Sequence, residues 1–302
     1  MQIISFPFYF LLYLILAIAC AKWFASRLRH QTTEATPARA THTGAQIGDP
    51  RSPCRSAAAG TPEEVEFQKK WELALEMIDQ VRWWNLADRI VVADAGYGDV
   101  EAFREGLESR KLHYAVGVQS NTGVWMEPPQ PRKLKPKQKG HPPSALHYGK
   151  QRPVSAKEAV QQAPGWKKVR WREGSKGWLE SRFWASRVQP SHVFHEVREA
   201  GKEVWLLVEW PAATAEPTKY YFCDQPADYS LRRLVQVAKA RWKIEQDCQQ
   251  LKEELGLDHY EGRSWSGWHH HVTLVMLAHS FLTLETLRNQ KTFWLDPAED
   301  AS

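Results

Sequence analysis

The chain has 302 residues, a formal net charge of +5, 25% charged and 43% apolar residues. This is a globular mixture and excludes a fibrous or low-complexity protein. Its four cysteines (Cys20, Cys54, Cys223, Cys248) are far apart and form no CxxC, which excludes a zinc ribbon or a disulfide scaffold and fits a reducing compartment.

Residues 1–60 stand apart. Ile3 to Ala21 is apolar without a charge, and Lys22, Arg27 and Arg29 follow it. The stretch is just long enough to span a membrane. A secretory signal would carry its positive charges ahead of the apolar run, and here none precede it. If the stretch inserted, the charges behind it would hold the remaining chain in the cytoplasm. Gln31 to Ala59 is rich in Thr, Ala, Ser, Pro and Arg and is expected to be disordered. The segment is read as unrelated to the rest of the chain, and more readily as an accidental reading frame than as a membrane anchor.

Residues 61–120 read as α/β. Thr61-Pro62-Glu63-Glu64 has the pattern of a helix start. Phe67, Trp71, Leu75 and Ile78 extend that helix to about Trp84. Arg89 to Asp94 reads as a short buried strand that ends in a carboxylate. Ala95-Gly96-Tyr97-Gly98 is a turn, and Asp99 is expected to cap a helix through about Ser109. His113 to Gln119 reads as a second strand. Short α-β-α-β connections of this kind imply an α/β core.

Residues 121–228 read as a basic loop and a β-rich insertion. Pro128 to Lys157 holds eight Lys or Arg and no acid. Lys133, Lys135 and Lys137 lie in its densest run and are candidate phosphate contacts. Val169 to Val188 has the alternation of a hairpin, and Val204 to Trp210 and Lys219 to Cys223 read as further strands. Arg170 and Arg172, beside Trp171, join the candidate DNA contacts. Trp171, Trp178 and Trp184 suit either core packing or stacking on bases.

Residues 229–290 hold the C-terminal helices, and 291–302 a tail. Ala240 to Lys252 reads as one helix. It places Arg241, Glu245 and Lys252 on one face, with Ile244, Cys248, Leu251 and Leu255 on a separate apolar stripe. One stripe can dock on a core while the other presents a carboxylate flanked by cations. Such a group suits a metal ligand beside phosphate, although Arg241–Glu245 is also an ordinary surface pair in form. Gly256 fits a helix C-cap, and a last apolar helix is expected from about Trp268 to Leu287.

Asp94 is the second chemical signal. A carboxylate at the C-terminal end of a strand, before a Gly-rich turn, lies at the mouth of an α/β sheet. Two such acids, one from a strand end and one from a helix, are what a Mg²⁺ or Mn²⁺ site for phosphodiester chemistry needs.

Val92-Ala93-Asp94-Ala95-Gly96-Tyr97-Gly98-Asp99 resembles the second-aspartate motif of the DDE transposases of bacterial insertion sequences. Arg241-Trp242-Lys243-Ile244-Glu245 with Lys252 resembles the R-(3)-E-(6)-K signature of the IS4-like group. Glu253 to Trp265 with Gly267-Trp268-His269, and Trp171 to Trp178, resemble its IS701-type branch. The resemblance implies an RNase H-like core, incomplete at its N-terminus and interrupted by a β-rich insertion. It implies transposition by hydrolysis and strand transfer at transposon-end DNA, with Mg²⁺ or Mn²⁺ held by Asp94 and Glu245. Arg241 and Lys252 would then contact DNA phosphate, a homodimer on DNA would fit, and the setting would be cytoplasmic and nucleoid-associated, with no membrane partner.

Two positions depart from the pattern. Ala238 stands where the group's signature opens with Tyr. No Asp-Asp-Thr-Gly-like strand precedes Thr61, where Asp49 lies in a Pro/Arg/Ser loop. The expectation is a 5′-truncated or frameshifted copy of doubtful activity. A non-catalytic DNA-binding remnant and a membrane-anchored protein of another role are the alternatives. His269, His270, His271 and His279 lack the partners of a metal site.

Overall fold

The computed structural model describes residues 59–62, 65, 68–83, 90–129, 152–161, 163–174, 177–191 and 201–294. The apolar run 3–21, Asp49 and the lysines at 133, 135 and 137 lie outside them. Internal contacts divide the chain into two units: Asp88–Lys243, and Met1–Ala87 with Ile244–Ser302.

The unit Asp88–Lys243 is built on one mixed sheet. β1 (Ile90–Ala93) runs parallel to β2 (His113–Val118), with Ile90 opposite His113 and Ala93 opposite Val116. Between them come a single helical turn α2 (Ala95–Gly98) and α3 (Glu101–Ser109), which buries Phe103, Arg104 and Leu107. All of β2 beyond His113 is buried. That is the pattern of a strand covered on both faces.

The insertion expected after β2 does not form a sheet of its own. β8 (Lys219–Cys223) pairs antiparallel with β2, Val116 opposite Phe222. The order then runs β1-β2-β8-β7-β6-β3-β4, with β5 on the other side of β6. Here β3 is Gly123–Trp125, β4 is Val154–Ser155, β5 is Lys167–Gly174, β6 is Gly177–Pro190 and β7 is Val204–Trp210. A one-turn helix, α4 (Ala156–Val160), comes after β4 behind a Ser155–Glu158 capping box. The expected hairpin is β5–β6, and the two further strands fall where their apolar runs place them.

A helix without a clear signal in the sequence crosses this sheet. α5 (Leu231–Lys239) is capped by Ser230, whose hydroxyl accepts the Arg233 N–H. It lays Leu234, Val235 and Ala238 against Ala115, Val169, Phe183, Leu207, Tyr221 and Cys223. Residues from both the α/β strands and the insertion strands therefore share one core. Burial raises the Cys223 thiol above its ordinary range, so it is an inert core group.

The other unit contains α1 (Lys70–Trp83), most of α6 (Trp242–Glu253) and α7 (Trp265–Trp294). Leu251, Leu257, Trp268, Val272, Val275 and Met276 form its core, with Leu255 and Tyr260 at the margin. Gly256 has φ 68°, as a C-cap requires, and Leu257 N–H returns to Leu251 O at 2.8 Å. α1 starts at Lys70 rather than near Thr61. The Glu72 carboxylate accepts the Lys69 N–H at 2.8 Å and supplies the start signal. Pro62 instead closes a turn to Val65.

Two glycines bring α2 down onto β2. A side chain on Gly98 would collide with the Gly117 carbonyl oxygen, and one on Gly117 would stand 3.0 Å from the Ala95 nitrogen. Neither neighbour can swing away, because both are backbone. Gly98→Ala is expected to destabilise the fold by about 1–3 kcal/mol, read as a lower thermal midpoint. An unchanged midpoint would show that α2 does not bear on β2.

Candidate functional site

Asp94 leaves the C-terminal end of β1 half-buried, with extended backbone (φ −83°, ψ 179°). Its Oδ1 accepts the Gly96 N–H at 2.9 Å, and its carbonyl accepts from Tyr97 and Gly98. Asp94 is therefore the cap of α2. The expectation that Asp99 would cap the next helix is overturned: α3 begins after Val100 with no side-chain cap. Asp99 reaches across instead, and its Oδ1 accepts the Gln119 N–H at 3.0 Å and the Thr122 hydroxyl at 2.8 Å. Capping through one oxygen does not preclude a further ligand at Asp94, since a carboxylate offers about four lone-pair positions.

Arg104 completes the support of this turn, and no local sequence signal marks it. The residue is buried, its guanidinium donates to the Gly98 carbonyl, and it lies 5.5 Å from the Phe222 ring. Burial pulls its proton affinity down, while Tyr114, Glu101, Asp99 and Glu108 pull it back. Tyr97 packs on Phe103 at 5.4 Å. The Asp94 turn is thus held from β2 below, from α3 beside it and from β8 through Phe222.

Glu245 is exposed in the first turn of α6, and Lys252 is exposed in its last. Leu251 is buried and Ile244, Cys248 and Leu255 are half-buried, so the two expected stripes exist. The continuous helix from Ala240 does not. α5 ends at Lys239, Ala240 and Arg241 form a turn, and α6 starts at Trp242. Arg241 is half-buried in that turn. Asp94 and Glu245 fall in different units.

Two basic candidates of the insertion, Arg170 and Arg172, are engaged within the protein. Arg170 Nε donates to Glu180 at 2.9 Å, and Lys168 bonds the same carboxylate. These two cations hold the Glu180 carboxyl below its usual range. The Arg172 guanidinium lies 3.4 Å from the Trp242 ring centroid. Trp171 packs edge-on against Phe183, Trp184 is half-buried and Trp178 is 52% exposed. Among the described residues a cavity of about 270 Å³ opens beside Lys167, Trp205 and Tyr229, and no candidate catalytic residue lines it.

The model for the DDE superfamily endonucleases matches residues 27–178. The chain belongs to this family. Membership carries a transposase-type nuclease function on DNA, with divalent metal ions as the family's general cofactor. The mixed α/β sheet is consistent with the RNase H-like fold of such nucleases. The match starts inside the segment whose composition set it apart as unrelated. It takes in Asp94 and ends before Glu245. No curated protein matches the chain.

The donor chemistry suits the family's metal: Asp94 and Glu245 offer hard carboxylate oxygens. Among the described residues no three His, Cys, Asp or Glu converge as a ready-made metal group. His271 Nε2 lies 3.0 Å from Gly256 O, and His269 lies 4.4 Å from the Trp265 ring. Among the described residues no helix is long and apolar enough to cross a membrane.

Two of these histidines link stability to pH. Burial draws His279 below its ordinary 6.5, against the opposing pull of Asp247 and Glu254. Burial and then the neighbouring His270 draw down His269. The unfolded chain takes up these protons near pH 6.5, and the folded chain resists them. Their contribution is therefore full above pH 6.5 and is lost as pH falls through the depressed folded values. The thermal midpoint is expected to fall between pH 7.5 and 5, and His279→Gln should flatten part of that fall. An identical slope in the variant would remove His279 from the account.

Proposed function

We propose that this DDE-superfamily chain is a transposase of the IS4-like group, in its IS701-type branch. It acts on the DNA ends of an insertion sequence by hydrolysis and strand transfer, as a nucleoid-associated cytoplasmic protein. The observation that carries this reading is Asp94. It lies inside the family match, at the end of a parallel strand, on a turn supported from three sides. The sequence motif around Glu245 and its exposed place on α6 support it as the partner carboxylate.

Asp94 and Glu245 would hold Mg²⁺ or Mn²⁺. Bound there, the ion would polarise a phosphodiester oxygen and lower the proton affinity of water. The chain's own part is to keep both carboxylates placed and to hold the DNA strand. Lys252 on α6 and Arg241 in the turn just before it would carry phosphate next to Glu245. Lys133, Lys135 and Lys137 would add sequence-independent attraction that weakens with salt. Arg170, with its charge shared by Glu180, is the weaker DNA contact. A homodimer on paired ends fits the reaction.

The test is a Mg²⁺-dependent nicking assay on DNA flanking the chain's own gene. Nicking is expected for the wild type. Its loss is expected in Asp94→Asn and in Glu245→Gln, with binding of the same DNA retained. Retained nicking in either variant would strike that residue from the site. Binding without nicking in the wild type would instead make the chain a DNA-binding remnant.

A further inference from the structure

Two adjacent residues of the insertion grip both sides of the break before the Glu245 helix. In a regular strand, neighbouring side chains point to opposite faces. β5 is not regular there: Arg170 pairs with Glu180 but Arg172 pairs with Leu179, so the register slips at Trp171. A bulge of this kind re-aims side chains. Trp171 meets Phe183 edge-on at 5.5 Å and lies 4.7 Å from the Lys239 ammonium. Arg172 lies over Trp242, its guanidinium carbon 3.4 Å from the ring centroid. Lys239 is the last residue of α5 and Trp242 the first of α6.

Each half of the grip is anchored. Lys239 Nζ bonds Glu209 on β7 at 2.5 Å, and the two side chains are only 14% and 5% exposed. Breaking one partner of such a buried pair leaves an uncompensated charge, so the end of α5 is fixed in place. The Arg172 Nε is buried without a hydrogen-bond partner. An orphaned donor costs stability. An arginine kept there despite that cost is explained by what its planar face does on Trp242.

We propose that Trp171 and Arg172 are positioning residues that clamp the α5–α6 junction and keep the first turn of the Glu245 helix formed. Glu245 lies in the helical turn that opens at Trp242, so loosening the clamp frays the turn that carries it. This assigns Arg172 to packing rather than to DNA. The functional side of the inference rests on Glu245 being a site residue, as proposed above; the clamp itself does not.

The test uses the full chain and two readouts. Amide hydrogen exchange is followed in residues 241–248 and, as a control, in 204–223. Arg172→Ala is expected to speed exchange in 241–248 about tenfold by local opening, with 204–223 unchanged. Arg172→Lys keeps the charge but not the planar stack. It should give a smaller rise in the same segment, and it stands in if the alanine variant does not fold. In the nicking assay Arg172→Ala should lower the rate at saturating DNA without raising the half-saturating DNA concentration, and Arg172→Lys should recover part of the rate. Unchanged exchange in 241–248, or a rise shared equally by 204–223, overturns the clamp. Glu245→Gln that still nicks would remove Glu245 from the site while leaving the exchange result to decide the clamp.

Discussion

β2 is the strand on which the rest of the structure depends. On one side it takes a parallel neighbour, β1, whose end carries Asp94. On the other it takes an antiparallel neighbour, β8, which brings in the whole insertion. Parallel and antiparallel ladders place their hydrogen bonds differently, and a buried strand that serves both has little freedom to slip. A shift by one residue would turn Tyr114, Val116 and Val118 to the opposite face. It would also move Gly117 from beneath α2, and the Asp94 turn would lose its seat.

That geometry makes the insertion part of the fold that supports the Asp94 turn. Its strands continue the sheet, its Phe222 backs the Arg104 guanidinium under the Asp94 turn, and its core residues receive α5. The chain that leaves α5 then enters the Glu245 helix. Asp94 is tied to the sheet through β1.

The sequence discloses what is locally periodic. Val204–Trp210 and Lys219–Cys223 are legible because buried strands of bulky residues need no context. The two faces of α6 are legible because helical spacing alone separates Leu251 from Glu245. α5 escapes notice because Arg232, Arg233 and Lys239 mask an apolar stripe of only a few residues. The break at Ala240-Arg241 carries no local signal, since both are good helix formers. It coincides with contacts from distant residues, Glu209 on Lys239 and Arg172 on Trp242. The cap expected from Asp99 at α3 is missing for a similar reason. Gln119 and Thr122, which follow β2, take the Asp99 carboxylate, and their place is not written in the residues around Asp99.

Function turns on whether Asp94 and Glu245 hold one metal ion on DNA. Fe²⁺ substituted for Mg²⁺ in the DNA-bound chain, with ascorbate and peroxide, cuts polypeptide backbone beside the ion. A shared ion predicts cuts near both Asp94 and Glu245, lost together when either residue is changed to its amide. Cuts near one residue alone, or cuts at Glu245 that persist in Asp94→Asn, would contradict it.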